Sequence, residues 1–132
     1  MRPKYGNHKI KNAYGTYDSQ LEYARFIFLS NREKEGEITN LRRQVEYLLI
    51  PAQYGTEIKH LKTKDKEVRV LLERSCSYVA DFVYERNGET IVEDCKGAKG
   101  IITETAKIKK KLLLWVNGIE LRYVFSATQW DK

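Results

Sequence analysis

Two hydrophobic periods alternate along the chain. From Asp18-Ser19 onward, Leu21, Ala24, Phe28 and Leu29 recur at helical spacing, and Tyr23 and Ile27 widen that stripe. Arg25, Arg32, Glu33 and Lys34 fall on the opposite, wet side. Ser19-x-x-Glu22 has the form of a capping box and Gly36 stands where a C-cap belongs, so the pattern predicts a first helix between them. A second helix is predicted over 103–116, stopped by Asn117-Gly118. Its apolar side would be Ile108, Leu112, Trp115 and Val116, with Lys107, Lys110 and Lys111 on the other arc.

The shorter period predicts strands. Residues 44–50 are β-rich and closed by Pro51, and 38–41 read as a connector leading into them. Residues 68–72 form a second strand. Residues 77–84 and 89–96 form two more, joined by Asn87-Gly88, a strong hairpin signal. Residues 119–125 give a last strand. Between 54 and 67 the polarity is high, with Lys59, His60, Lys62, Lys64 and Lys66, and a loop or loose hairpin is expected. Residues 1–16 are basic and turn-rich, which suggests an arm, and 126–132 suggest a tail. The order is helix, antiparallel strands, helix, strand: a mixed α/β domain over 17–125 with a central sheet between helices.

Length and composition narrow the class. A chain of 132 residues fits one domain with a core of its own. No apolar run approaches the roughly 18–20 residues of a membrane helix, and the N-terminus shows no apolar segment behind its charges, so neither a membrane nor a secreted protein is expected. Cys76 and Cys95 are too few for a disulfide framework or a zinc site and read as free thiols in a reducing cytoplasm. With 24 Lys+Arg against 18 Asp+Glu, the formal charge of +6 suits a polyanionic partner.

The candidate chemistry lies in the second hairpin. Asp81, Glu93 and Asp94 interrupt otherwise apolar strand patterns, where an unpaired carboxylate is costly unless it is paired or holds a cation. The strand period places Asp94 and Lys96 on one face, and the hairpin brings Asp81 next to Asp94 across the sheet. Two carboxylates and an amine therefore converge. Hard oxygen ligands with room for water and phosphate suit magnesium, and a neighbouring amine can orient water, so metal-assisted phosphodiester hydrolysis is the chemistry suggested. The plainer alternative is a surface ion pair between Asp94 and Lys96.

Asp81, followed across a hairpin by Asp94-Cys95-Lys96, resembles the PD-(D/E)XK nuclease signature. Tyr17-Asp18-Ser19-x-x-Glu22, Gly36-x-Ile38 with Leu41 and Gln44, and Tyr78-x-x-Asp81-Phe82 are similar to a family of small phage-encoded proteins built on that core. The likeness covers roughly residues 14–125, and it implies a restriction-endonuclease-like αβββαβ fold. It implies that Asp81 and Asp94 hold Mg2+, which Mn2+ could replace, with the Cys95 carbonyl completing the site. Lys96 would be the catalytic lysine, Glu22 a helix-borne catalytic acid and Gln44 a supporting residue. Without the likeness, Glu22 is a capping residue and Gln44 an edge hydrogen-bonder. Ala80 stands where the motif has Pro, Asp94 replaces the commoner Glu, and 54–67 add length to the compact core.

The expected activity is thus a magnesium-dependent DNA endonuclease, with a Holliday-junction-resolving role and a homodimer suggested by family analogy. Lys107, Lys110 and Lys111, and Lys9 and Lys11 of the arm, would contact DNA phosphates. The alternatives are a nicking or restriction-like enzyme acting on linear duplex and a non-catalytic DNA-binding protein of the same fold. Either way the expected partner is DNA, with no membrane, in the cytoplasm of a host cell.

Overall fold

A computed structural model describes residues 20–97 and 102–130, together with the backbone of 10–12 and 15–17. A short antiparallel hairpin, β1 (Ile10–Asn12) and β2 (Gly15–Tyr17), leads into helix α1 (Gln20–Lys34). Three strands follow: β3 (Thr39–Ile50), β4 (Gln53–His60) and β5 (Asp65–Glu73). β6 (Cys76–Arg86) and β7 (Glu89–Cys95) then precede α2 (Glu104–Asn117) and β8 (Arg122–Val124). The central sheet has the order β3-β6-β7-β8. It is mixed, because β7 and β8 are parallel while the other pairs are antiparallel.

The sequence of β6 and β7 explains why a helix covers each face of that sheet. Val83 and Val92 pack with Leu49, Tyr78, Ala80, Leu121 and Leu113 of α2, while Phe82, Tyr84 and Ile91 pack with Ile38 and Leu29 of α1. Strands apolar on both faces need two covering layers. Leu113 is fully buried, and truncating such a residue to alanine typically costs about 2–5 kcal/mol. The hairpin between β6 and β7 turns at Asn87 (φ 52°) and Gly88 (φ 78°), the left-handed pair that a tight two-residue turn requires. Thr103 caps α2 by accepting from the Ala106 amide at 3.1 Å, and Gly118, at φ 68°, closes it.

Several expectations change. The connector over 38–41 is largely the first part of β3, and 54–67 belong to a regular β4–β5 hairpin. The stripe expected on α2 holds only at Leu112, which packs on the core beside the fully buried Leu113, whereas Ile108 and Val116 are exposed and Trp115 is 87% exposed. On α1, Ala24 and Ile27 face outward, and the buried positions are Glu22, Arg25 and Leu29. The expected tail is fastened at its start: Arg25 Nη1 donates to the carbonyls of Ala127 (3.0 Å) and Gln129 (2.6 Å). Trp130 packs edge-on against Phe28 and lies under Arg86. Both cysteines are free. Among the described residues, no helix is long and apolar enough to cross a membrane.

Candidate active site

The β6–β7 ladder runs from Arg86↔Glu89 to Phe82↔Glu93, so Asp81 and Asp94 occupy the next positions, opposite one another where the pairing stops. The Asp81 carboxylate is held there by the Cys95 backbone amide, which donates to Oδ2 at 2.8 Å. Asp94 Oδ2 receives the Lys96 ammonium at 2.8 Å, and both side chains are largely covered. The Lys96 amide donates to the Val124 carbonyl (2.8 Å), which fastens the end of this segment to β8.

Glu22 and Gln44 arrive from other elements. The first turn of α1 places Glu22 at 3% exposure. Gln44 lies mid-strand in β3, between the pairs Arg43↔Phe82 and Val45↔Ala80, with φ 53°. A left-handed glutamine inside a strand is strained, and such strain persists where surrounding contacts enforce it. Here its side-chain amide donates to Glu22 Oε1 at 2.9 Å and to Asp81 Oδ1 at 3.3 Å. Gln44 therefore bridges the helix-borne Glu22 and Asp81 of the hairpin. Arg43 Nη2 adds a longer contact to Glu22 at 3.4 Å. Asp18 and Ser19, on which the capping expectation for Glu22 rests, lie outside the described residues.

Carboxylates gathered in a covered place raise one another's affinity for protons. Burial, the hydrogen bond and charge of Asp94 and the charge of Glu22 push the Asp81 carboxyl up to about 8, against the lowering pull of the Cys95 amide. Burial and the charges of Asp94 and Asp81 likewise push the Tyr78 hydroxyl up. Burial first, then Asp81, Glu93 and Glu22, raise the Cys95 thiol, which makes it a poor thiolate ligand or nucleophile.

Among the described residues, no three or more His, Cys, Asp and Glu are gathered as a protein-only metal cage. A magnesium ion does not require one, because it is commonly held by one or two carboxylates with waters and substrate phosphate supplying the rest. The pair Asp81 and Asp94 fits that pattern. Tyr123, the parallel-ladder partner of Asp94, adds a buried hydroxyl with no hydrogen-bond partner among the described residues, an orphaned polar group that fits a hydrated ion nearby.

The predicted DNA-binding lysines of α2 lie beside this pair. Lys107, Lys110 and Lys111 line an open cavity of about 290 Å³ with Leu114, Leu121 and Tyr123. Lys96 and Lys110 both approach the Tyr123 ring, at 5.6 and 5.5 Å from its centre, so Tyr123 links the cavity to the acids. Lys107 also pairs with Glu104 at 3.2 Å. Lys9 lies outside the described residues, and Lys11 lies in β1, where only the backbone is described. Sequence reasoning missed Tyr123 altogether; its place in the last strand gave no sign of contact with Lys96.

Fold and site together define a two-layered-over mixed sheet with an acidic cluster at the end of its central hairpin. The chain belongs to the family described as Protein of unknown function (DUF1064), which it matches over residues 2–130. No curated protein and no solved structure matches it.

Proposed function

We propose that this protein is a magnesium-dependent DNA endonuclease with a restriction-endonuclease-like αβββαβ core. The observation that carries the reading is the Asp81–Asp94 pair, neutralised only in part by Lys96 and tied to Glu22 through a strained Gln44. A binding protein gains nothing from acids turned toward a polyanion. A hydrolase gains a cation site.

Asp81, Asp94 and the Cys95 carbonyl would hold the ion. When bound there, magnesium would supply Lewis acidity toward a phosphate and would lower the pKa of water. Lys96, anchored on Asp94, orients the attacking water and stabilises charge developing on the phosphoryl oxygens. Glu22, held by Gln44, would serve as the carboxylate that accepts a proton from the attacking water. Lys107, Lys110 and Lys111 hold neighbouring phosphates, which adds affinity without reading sequence. The family likeness extends the reading to branched DNA, a homodimer and the cytoplasm of a phage host.

The test is a labelled panel of linear duplex, single strand, flap and four-way junction, incubated with magnesium or EDTA. Magnesium-dependent cutting of at least one member is expected, and cutting of the junction alone would fix the resolving role. Binding of the panel with no cleavage would return the chain to non-catalytic DNA binding. Within an active enzyme, Lys96→Ala should lower the cleavage rate far more than it weakens binding, because water orientation matters in the transition state. Equal losses in rate and affinity would instead make Lys96 a phosphate anchor.

A further inference from the structure

Beyond the site, β4 and β5 form a two-stranded ribbon outside the central sheet. The ladder runs from Gln53↔Glu73 to His60↔Asp65 and continues the β3–β6 pair past Pro51. Eight residues at about 3.3 Å each make an arm roughly 26 Å long. Every β4 residue but Gly55 is exposed, as are most of β5, so no layer covers the ribbon along its length. An uncovered two-stranded ribbon is marginal in water by itself.

Its tip is built against its own electrostatics. Lys59 and Lys66 face each other directly across the ladder, a like-charge arrangement that destabilises a strand pair. Lys62 and Lys64 lie in the turn between the strands, where the Leu61 amide donates to the Lys64 carbonyl at 2.8 Å. The carboxylate among residues 59–66, Asp65, is engaged by His60 at 2.8 Å on the opposite ribbon face from the lysine pair. Four lysines are thus concentrated at the end of an ordered arm, with Leu61, 47% exposed, at their centre. Nearer the body, Arg69 stacks on Tyr54 at 3.7 Å.

A polyanion at the tip would remove the cost of the facing lysines. A two-stranded ribbon is also of a size that the major groove of duplex DNA admits. We propose that the β4–β5 arm is a second DNA-binding element, with Lys59, Lys62, Lys64 and Lys66 on backbone phosphates and Leu61 against the base edges of a groove flanking the cleavage site. This rests on the endonuclease reading for the identity of the substrate, though not for the contacts themselves. The arm makes duplex flanking the cut part of the substrate, and it distinguishes duplex-bearing substrates from bare single strand.

The test reads binding of the full chain in EDTA, so no cleavage enters. A fluorescein-labelled 30-base-pair duplex is titrated at several salt concentrations with wild type and with the combined Lys59→Ala, Lys62→Ala, Lys64→Ala and Lys66→Ala variant. These side chains are exposed, and a thermal midpoint no lower than that of wild type will show that the body is intact. Each phosphate contact contributes about 0.9 to the slope of log affinity against log salt, so the combined variant should lose about 3 to 4 units of slope and at least tenfold in affinity at low salt. Leu61→Ser should weaken binding several-fold with the slope unchanged.

Wild-type slope and affinity in the combined variant would overturn the proposal, and so would a failure of wild type to bind the duplex. Dissociation of a wild-type dimer by these substitutions, with DNA binding intact, would assign the arm to a second copy and overturn it too. If wild type never cuts the panel with magnesium yet the arm variant loses slope, the endonuclease reading falls and the arm stands. If wild type cuts and the arm variant binds normally, the reverse holds.

Discussion

Glu93 and Asp94 are neighbours in one strand and have opposite surroundings. Glu93 is 2% exposed and takes Arg25 in two bonds, Nε to Oε1 at 2.9 Å and Nη2 to Oε2 at 2.6 Å, with the Tyr84 hydroxyl donating as well. Arg25 spends its remaining capacity on two carbonyls of the 127–129 segment. That cluster is neutral and its hydrogen bonds are made; it fastens α1, β7 and the C-terminal segment together. One residue on, Asp94 shares its place with Asp81 and the approach of Glu22, three carboxylates against two cations, Lys96 on Asp94 and Arg43 on Glu22. The difference teaches how to tell structural from chemical charge in a core. A buried ion that is matched holds the fold, and an excess of one sign is relieved by a proton or by a bound cation.

The comparison breaks most visibly if the matched cluster is unmatched. Glu93→Ala leaves Arg25 buried without its partner, which should cost about 3–5 kcal/mol in urea denaturation, a large share of a typical domain's stability. Replacing both residues with apolar ones, Arg25→Met with Glu93→Leu, should recover much of that loss. A double variant no more stable than the single would show that the tether to 127–129, rather than the pair, carries the stability.

Removing a carboxylate from the unmatched cluster should do the opposite. The folded Asp81 carboxyl keeps its proton up to about 8, whereas in the unfolded chain it loses it near a pH of about 4. Between those values the folded state binds more protons, so this group's contribution to stability falls as pH rises through the window. Metal-free Asp81→Asn should therefore be more stable than wild type at pH 8, with the gap closing toward pH 4. Thermal midpoints across that range in EDTA check it, and a gap independent of pH would place the origin elsewhere.

The smallest structural effect sharpens the role of Glu22. In Glu22→Gln the side-chain oxygen that accepts from Gln44 is retained, and a cap contributes only about 1 kcal/mol, so the midpoint should move by a few degrees at most. Cleavage should be largely lost, because the charge is gone. A folded variant with wild-type activity would leave Glu22 a structural role, as the partner of Gln44 and Arg43.

The acidic pair was legible because its information is local. Asn87-Gly88 sets the hairpin, the hairpin sets the register, and period-two counting then brings Asp81 opposite Asp94. What was not legible depends on distant partners. Arg25 reads as a wet-face residue until Glu93, 68 positions away, is seen to meet it. The φ of Gln44 has no local signature, since glutamine gives no sign of a left-handed turn. The inward face of α2 is hidden for a related reason: Trp115 carries the largest apolar side chain, yet the sheet selects Leu113 with Leu112 beside it and leaves Trp115 outside. For 54–67 the sequence left loop and loose hairpin open, because scattered lysines mask how far the pairing runs, which is to His60↔Asp65.

If Asp81 and Asp94 hold magnesium as proposed, the ion must displace the proton that Asp81 otherwise keeps up to about 8. Calorimetric titration of the EDTA-stripped, dialysed chain with magnesium chloride at pH 7, in two buffers of different ionisation enthalpy, measures binding and proton release together. Saturable binding with release of up to about one proton per ion is expected in wild type, and no binding in Asp94→Asn. Absence of binding in wild type, or binding with no proton released and undiminished in Asp94→Asn, would contradict the account.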